Sequence, residues 1–132
     1  MDDPDQSTRE YRFEAGAVPD LAAMRGWLRR VLKGASPDGV QDVLLLATEL
    51  VTNALDHAHG VQALRVRYRA RRSPVRLEVD DPRPDLGLRL GGSSPGDTRG
   101  RGLLLVDAIS RRWGVVTHGT ARKTVWADVV AG

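Results

Sequence analysis

Apolar residues recur every three or four positions in two early segments of the chain, a spacing that gives a helix one buried face. The first segment runs from Pro19 to about Lys33, with the proline in the first turn, where a helix accepts it best. The second follows Ser36, a residue suited to capping, and runs from Pro37 to about His57. The pattern predicts two amphipathic helices, with buried positions at Leu21, Met24, Leu28, Val31, Leu32, Val40, Val43, Ala47, Leu50, Val51 and Ala54.

Alternation of apolar and charged residues predicts strands in the rest of the chain. Residues 64–68 and 75–79 alternate on either side of Arg71-Arg72-Ser73-Pro74, which is typical of a turn, so we predict an antiparallel hairpin. The remaining predicted elements are a strand at residues 11–15, a third helix from Gly102 to about Trp113, and strands at residues 114–118 and 123–130.

Residues 82–101 break both patterns with three prolines and five glycines. They predict a long, mobile loop of the kind that often serves as a lid. The resulting element order favours an α+β fold, a two-layer α/β sandwich in which three helices cover one face of a mixed, mostly antiparallel sheet. We expect residues 1–10 to be a disordered lead and residues 11–132 to form a single domain.

Composition narrows the class of protein. The chain has 132 residues and no cysteine, which excludes disulfides and thiolate chemistry. It has no run of about 18 apolar residues that would span a membrane, and its acidic N-terminus lacks a secretory signal. We therefore expect a cytoplasmic protein with no membrane partner.

The formal net charge of +3 is a small basic excess that by itself indicates no particular partner. A possible nucleic-acid surface is the row of arginines along one predicted strand and its turn, formed by Arg65, Arg67, Arg69, Arg71 and Arg72. Because no aromatic residues alternate with them for base stacking, the row is more typical of a solvated sheet face. We expect no direct nucleic-acid partner.

A polar stripe follows the second helix. Glu49, Asn53 and His57 stand at positions i, i+4 and i+8, with Asp56 on the same edge. An asparagine oxygen is a suitable ligand for Mg²⁺, and a nearby glutamate can accept a proton from an attacking hydroxyl group. The stripe borders the apolar face, where it can line a cleft, although a solvated helix flank would also account for it.

Two further features follow along the chain. Asp80 and Asp81 end a predicted strand, where a carboxylate can accept a hydrogen bond from the amine of an adenine. Gly100-Arg101-Gly102, preceded by Arg99, opens onto the third helix, and glycines with free helix N–H groups suit a bound phosphate. The run is not a Walker A motif, because it lacks Gly-Lys-Ser/Thr.

In this order and spacing, the motifs resemble those of the GHKL, or Bergerat-fold, ATP-binding domains of the histidine kinase-like ATPase superfamily. Glu49 with Asn53 is similar to the N box of that family, Asp81 to its G1-box aspartate, and Gly100 with Gly102 to its G2 box. The amino-acid sequence around these motifs looks like that of short actinobacterial relatives of anti-sigma-factor serine/threonine kinases. The resemblance covers about residues 11–130.

The resemblance implies ATP and Mg²⁺ as ligands. It implies that Asn53 holds the metal, that Glu49 is the catalytic base, and that residues 86–99 form the lid. The residues that it implies to bind the nucleotide are Asn53, Asp56, His57, Asp81, Arg99, Gly100, Arg101, Gly102, Leu103 and Thr124, the last being similar to a threonine that reaches the nucleotide from a late strand.

The activity implied is that of an anti-sigma-factor serine/threonine-protein kinase in partner switching, which phosphorylates an anti-sigma-factor antagonist, sequesters a sigma factor, or both. A non-catalytic, nucleotide-dependent protein-binding module is the alternative, and Glu49 is compatible with either. A homodimer near Trp27 is a further expectation. The catalytic half of a histidine kinase fits less well, because only 48 residues precede Glu49.

One motif departs from the family pattern. No glycine follows Asp81, and the chain continues as Pro82-Arg83-Pro84-Asp85. The fit around an adenine is therefore open, as is the choice between Asp80 and Asp81 for the contact with the base. Asp81 is favoured because it continues the parity of Leu77 and Val79, which are predicted to face the core.

Overall fold

A computed structural model describes residues 6–57, 60–69, 72–84 and 105–130 of the protein. Its elements follow the chain in the order β1 (Gln6–Arg12), α1 (Leu21–Val31), α2 (Pro37–His57), β2 (Ala63–Arg69), β3 (Arg72–Asp81), β4 (Arg112–His118) and β5 (Arg122–Val129). Residues 105–109, before β4, are also helical.

The five strands form one sheet in the order β1-β2-β3-β5-β4. All four neighbouring pairs are antiparallel, so the described strands form a purely antiparallel sheet where the sequence predicts a mixed one. The helices pack on the sheet, and the predicted α+β fold is confirmed. The predicted β2–β3 hairpin is confirmed as well.

The core lies between the sheet and the helices α1 and α2. The two-residue period of a strand places Val75, Leu77 and Val79 of β3 on the helix-covered face, where each is at most 1% exposed. Full burial of an aliphatic side chain of this size contributes about 1.5–3 kcal/mol, so this layer stabilises the fold. The residues that meet it from α1 and α2 are Met24, Leu28, Val43, Leu46, Ala47, Leu50 and Val51.

Side-chain caps fix the start of both helices. Asp20 Oδ1 accepts a hydrogen bond from the N–H of Ala23 at 2.9 Å, so α1 begins after Asp20 and Pro19 precedes the cap. Ser36 Oγ accepts from the N–H of Gly39 at 3.1 Å, and α2 then spans the predicted residues. Within the part of the chain that the structure describes, no helix is long and apolar enough to cross a membrane.

The first strand differs from the prediction. β1 begins at Gln6 and pairs with β2 from Gln6 opposite Arg69 to Arg12 opposite Ala63, so residues 6–10 are not part of a disordered lead. The strand lies at the sheet edge and is held by backbone hydrogen bonds to β2, while most of its side chains stay exposed. Hydrophobic alternation is therefore a weak signal for it. Residues 1–5 lie outside the described ranges.

Two element boundaries also differ from the prediction. Residues 72–74 belong to β3 rather than to a turn. Pro74 lacks the N–H that a ladder needs, and the strand tolerates it because the β2–β3 register shifts between Arg67 and Arg69. Trp113 lies in β4 rather than in the third helix, and its indole Nε1 donates back to Asp107 Oδ1 at 3.0 Å.

Candidate functional site

The polar stripe of α2 lies at the margin of the buried face of that helix. Leu46 and Leu50 are at most 2% exposed, and Glu49 and Asn53, beside them on the helix, are half-buried. Neither polar side chain has a hydrogen-bond or ion-pair partner among the described residues. Two oxygen-bearing side chains one helical turn apart are thus left at the edge of the interior.

These two side chains fit the donor set that Mg²⁺ takes from proteins. This ion binds one or two hard oxygen ligands and completes its shell with water and phosphate oxygens. The amide oxygen of Asn53 is such a ligand, and the carboxylate of Glu49 lies one turn before it. Asp56 is exposed further along the helix, and His57 ends it, with a side chain that lies outside the described part of the structure.

The segment after α2 connects the end of this helix to the end of β3. The N–H of Gly60 donates to the carbonyl of Ala54 at 3.4 Å, and the N–H of Gln62 donates to the carbonyl of Asp80 at 2.8 Å. The C-terminal half of α2, which carries Asn53, therefore lies at the end of the sheet where β3 terminates.

Asp81, the last residue of β3, faces the helix-covered side of the sheet. Its side chain is 2% exposed, and it continues the parity of the buried Val79. Its Oδ1 accepts from the N–H of Arg83 at 2.9 Å and from Lys123 Nζ at 3.1 Å, and its Oδ2 lies 3.0 Å from the same ammonium group. Lys123 Nζ also donates to the carbonyl of Arg83 at 2.9 Å. A buried ion pair therefore links the end of β3 to the start of β5.

Asp80 faces the opposite side of the sheet, the helix-free face, which none of the described helices covers. Arg65 donates from Nη1 and Nη2 to its two carboxylate oxygens at 2.6 and 2.7 Å, and the hydroxyl of Thr124 donates to Oδ1 at 2.6 Å. Burial alone would raise the pKa of Asp80, but the hydrogen bonds from Arg65 and Thr124 outweigh burial and lower that pKa. The hydrogen bond to Asp80 also raises the pKa of Arg65.

Two arginines of the predicted row, Arg65 and Arg67, pair with carboxylates on the helix-free face, and the side chains of Arg69, Arg71 and Arg72 lie outside the described part of the structure. Besides Asp80, Arg65 binds Glu78 Oε1 at 3.1 Å, and Arg67 binds the same oxygen at 3.3 Å. Such alternation of charges is typical of a solvated sheet face. The absence of a direct nucleic-acid partner stays a prediction.

A second cluster on the helix-free face surrounds Trp126. Arg76 and Arg112 bind the two oxygens of Asp128 at 2.7 and 2.9 Å, and the Arg76 guanidinium lies 4.3 Å from the centre of the Trp126 ring. The hydrogen bond from Arg76 lowers the pKa of Asp128 against the effect of burial. Gly114 lies beneath the ring, where an added Cβ would stand 2.9 Å from it.

The register between β3 and β5 separates Asp81 and Thr124, which the family resemblance assigns to one site. Asp81 pairs with Lys123 and Asp80 with Thr124, so Thr124 lies on the helix-free face. There its hydroxyl also lies 2.8 Å from Nε2 of His118. The structure does not bring Thr124 to the face of Asp81, and Lys123 takes that place instead.

Lys123 is absent from the predicted site residues, although the sequence contains a signal for it. Val125, Ala127 and Val129 alternate along the last strand and are predicted to share one face. Lys123 has the same parity, and the structure places all four on the helix-covered side. A lysine in phase with a buried row requires a partner, and that partner is Asp81.

The predicted phosphate-binding residues Arg99, Gly100, Arg101, Gly102 and Leu103 lie outside the described residues, as do residues 86–99. Residues 105–109 are helical, Val106 among them is buried, and Ile109 packs against the core. The predicted third helix is therefore present over these residues.

A cavity of about 470 Å³ lies near the C-terminal end of α2 but on a different side of the helix. It is lined by Leu55, Gly60, Pro82 and the loop between β1 and α1. Leu55 follows Asn53 by two residues, which turns its side chain about 200° around the helix axis. The cavity is therefore separate from the polar stripe.

Comparison with known protein families matches residues 14–128 to the histidine kinase-like ATPase domain. The match spans most of the chain, so the chain belongs to this family. No match is found among curated proteins. The family agrees with the α+β fold, and it supports a nucleotide as a partner of the chain.

Proposed function

We propose that this protein binds Mg-ATP between the C-terminal half of α2 and the end of β3, and that it is an anti-sigma-factor serine/threonine-protein kinase. One observation supports the site most directly. The buried carboxylate of Asp81 lies on the same side of the sheet as α2, whose polar edge carries Glu49 and Asn53. An acceptor for a base amine and oxygen ligands for a metal thus belong to one end of the molecule.

Each residue of the proposed site has a role that its chemistry allows. Asn53 holds Mg²⁺, which supplies charge neutralisation at the phosphates when bound. Glu49 accepts the proton of a serine or threonine hydroxyl as the hydroxyl oxygen attacks the terminal phosphorus and the bond to ADP breaks. Asp81 accepts a hydrogen bond from the adenine amine.

The sequence motifs supply the remaining proposed contacts to the nucleotide. Asp56 and His57 continue the edge of α2 beyond Asn53. The phosphates bind the backbone around Gly100-Arg101-Gly102 and Leu103, with Arg99 beside them. Thr124 has no place in this site, because it lies on the far face of the sheet.

The proposed partners are proteins of a partner-switching system in the cytoplasm. The kinase substrate is an anti-sigma-factor antagonist, and the sequestered partner is a sigma factor. Two copies of the chain associate near Trp27, which is half-buried on α1 with its ring centre 5.4 Å from that of Tyr11.

Phosphate transfer is tested with radiolabelled ATP and purified candidate antagonist proteins. Replacing Glu49 by glutamine keeps the shape and removes the base, so transfer falls at least about 100-fold while ATP binding stays within about threefold. Asp42→Asn is the matched control, because Asp42 is an exposed carboxylate on the same helix, and it leaves transfer unchanged. ATP binding by the wild type without any transfer would favour the non-catalytic binding module.

The metal role of Asn53 is tested by the dependence of ATP affinity on Mg²⁺. In the wild type, removal of Mg²⁺ weakens ATP binding at least about tenfold, a change worth about 1.4 kcal/mol. In Asn53→Ala, affinity is low and nearly independent of Mg²⁺. Gln41→Ala removes an exposed amide from the same helix and retains the wild-type dependence. Equal Mg²⁺ dependence in Asn53→Ala and the wild type would contradict the assignment.

A further inference from the structure

Lys123 and Asp81 form a buried ion pair that joins the start of β5 to the end of β3. The two residues stand opposite each other in the strand register, and their side chains are 4% and 2% exposed. Lysine is almost never buried to this degree without a partner. The ammonium group of Lys123 spans the carboxylate of Asp81 and the carbonyl of Arg83.

The pair places a hydrogen-bond acceptor beside a donor. An ionised carboxylate only accepts and an ammonium group only donates, whereas a threonine hydroxyl at the same place would do either. A ligand that enters between the two must therefore present a donor next to an acceptor. The edge of adenine does so, because its exocyclic amine N6 donates and its neighbouring ring nitrogen N1 accepts.

We infer that Lys123 determines specificity for the base, with its ammonium group donating to N1 of adenine while Asp81 accepts from N6. This inference rests on the proposed nucleotide site. The two contacts with the base replace one contact within the ion pair, and the carbonyl of Arg83 keeps its hydrogen bond to Lys123. Each buried charged group therefore keeps hydrogen-bond partners, which lowers the cost of opening the pair.

Bases with the opposite order of groups fit this edge poorly. Guanine and hypoxanthine carry a carbonyl oxygen at position 6 and an N–H at position 1. The carbonyl would then face the carboxylate of Asp81, and the N–H would face the ammonium group of Lys123. A site whose buried polar groups are left unpaired rejects such ligands strongly.

The test compares ATP with 1-deaza-ATP by calorimetry, since the analogue keeps the amine but has a C–H group in place of N1. Wild-type protein binds the analogue at least about tenfold more weakly, a difference of about 1.4 kcal/mol. Lys123→Met binds both ligands weakly and within about twofold of each other. Lys33→Met, which removes the chain's other lysine at an exposed position, keeps the tenfold preference.

A second measurement needs no variant and so does not depend on the stability of Lys123→Met. In an NMR spectrum recorded with ¹⁵N-labelled lysine, the protein gives only two side-chain ammonium signals, those of Lys33 and Lys123. ATP shifts the signal of Lys123, and 1-deaza-ATP at saturation shifts it much less, while the signal of Lys33 is unaffected by either.

Two outcomes overturn the inference in different ways. Equal affinity of the wild type for both ligands, with ATP binding still weakened by Asp81→Asn, would remove the role of Lys123 and leave the nucleotide site intact. No saturable ATP binding up to about 1 mM would mean a binding free energy weaker than about 4 kcal/mol. That result would remove the proposed site and this inference with it.

Discussion

Asp80 and Asp81 are neighbours in the chain, yet they serve opposite faces of the sheet. Asp80 lies in a network of hydrogen bonds and ion pairs on the helix-free face. Arg65 and Thr124 donate to it directly, and Arg122 lies 3.7 Å away. Asp81 lies under the helices, and Lys123 is its single charged partner in the part of the chain that the structure describes. The first carboxylate has several side-chain donors that compensate one another, whereas the second has one described side-chain donor, Lys123, beside the backbone N–H of Arg83.

This difference separates a structural carboxylate from a candidate binding carboxylate. A group held by several donors gains little from a ligand, because every ligand contact would displace an existing one. A carboxylate whose one side-chain donor is a flexible lysine can exchange that contact for another and keep its backbone hydrogen bond. The same difference predicts unequal costs when a partner is removed from either aspartate.

The largest expected effect on stability follows from removing the partner of Asp81. Lys123→Met leaves a carboxylate charge buried without a counter-ion, so the free energy of unfolding falls by about 3–5 kcal/mol. Arg65→Met on the other face costs about 1–2 kcal/mol, because Arg65 is partly exposed and Asp80 keeps Thr124. Urea denaturation of both variants measures the two losses in free energy of unfolding. Equal losses would contradict the proposed difference between the two aspartates.

A double variant sharpens this prediction. Asp81→Asn combined with Lys123→Met removes both charges of the pair, so the protein recovers more than half of the stability that Lys123→Met loses. No recovery in the double variant would mean that packing of the lysine stem, rather than an unpaired charge, accounts for the loss.

Gly114→Ala disturbs the helix-free face alone. The new Cβ would stand 2.9 Å from the Trp126 ring, so the ring must shift and its contacts with Arg76 and Arg112 change. The expected loss in the free energy of unfolding is about 2 kcal/mol, with ATP affinity within about twofold of the wild-type value. Tryptophan fluorescence and denaturation check the shift, and an unchanged emission spectrum would contradict the contact.

Lowering the pH weakens the ion pairs of Asp80 and Asp128 on the helix-free face. The folded-state pKa values of Asp80 and Asp128 are lowered from the usual 3.8, so their stabilisation is present above about pH 4 and is lost as the pH falls through the folded values. The stability difference between wild type and Asp128→Asn, about 1–2 kcal/mol at pH 6, therefore shrinks towards pH 2–3. A stability difference between wild type and Asp128→Asn that grows as the pH falls would contradict this prediction.

The smallest expected effect concerns the start of α2. Ser36→Ala removes the acceptor of the Gly39 N–H and costs about 1 kcal/mol. Ser36→Thr keeps an acceptor and costs less. Because the cap lies at the opposite end of α2 from Asn53, ATP affinity in both variants stays close to the wild-type value.

Local signals in the sequence account for the elements that were predicted well. The start of α2 is encoded by Ser36 and Pro37, and the β2–β3 hairpin by strict alternation, so both follow from nearest-neighbour chemistry. The position of Asp81 on the helix-covered face follows from the parity of Leu77 and Val79. These features depend on no contact between distant residues.

Features set by pairing between distant strands were not predictable in the same way. β1 is polar and is held by its ladder to β2, so it carries little hydrophobic signal. The assignment of Thr124 to the nucleotide site depends on the β3–β5 register, where a shift of one residue exchanges the two faces. Motif similarity selects Thr124, whereas the parity of the strand selects Lys123.

The proposed nucleotide site is tested most directly by an ATP titration of Asp81→Asn beside Asp80→Asn in the presence of Mg²⁺. We predict that Asp81→Asn weakens ATP binding at least about 30-fold, or about 2 kcal/mol, and that the affinity of Asp80→Asn stays within about threefold of the wild-type value. A larger loss in Asp80→Asn would place the base on the helix-free face and contradict the proposed site.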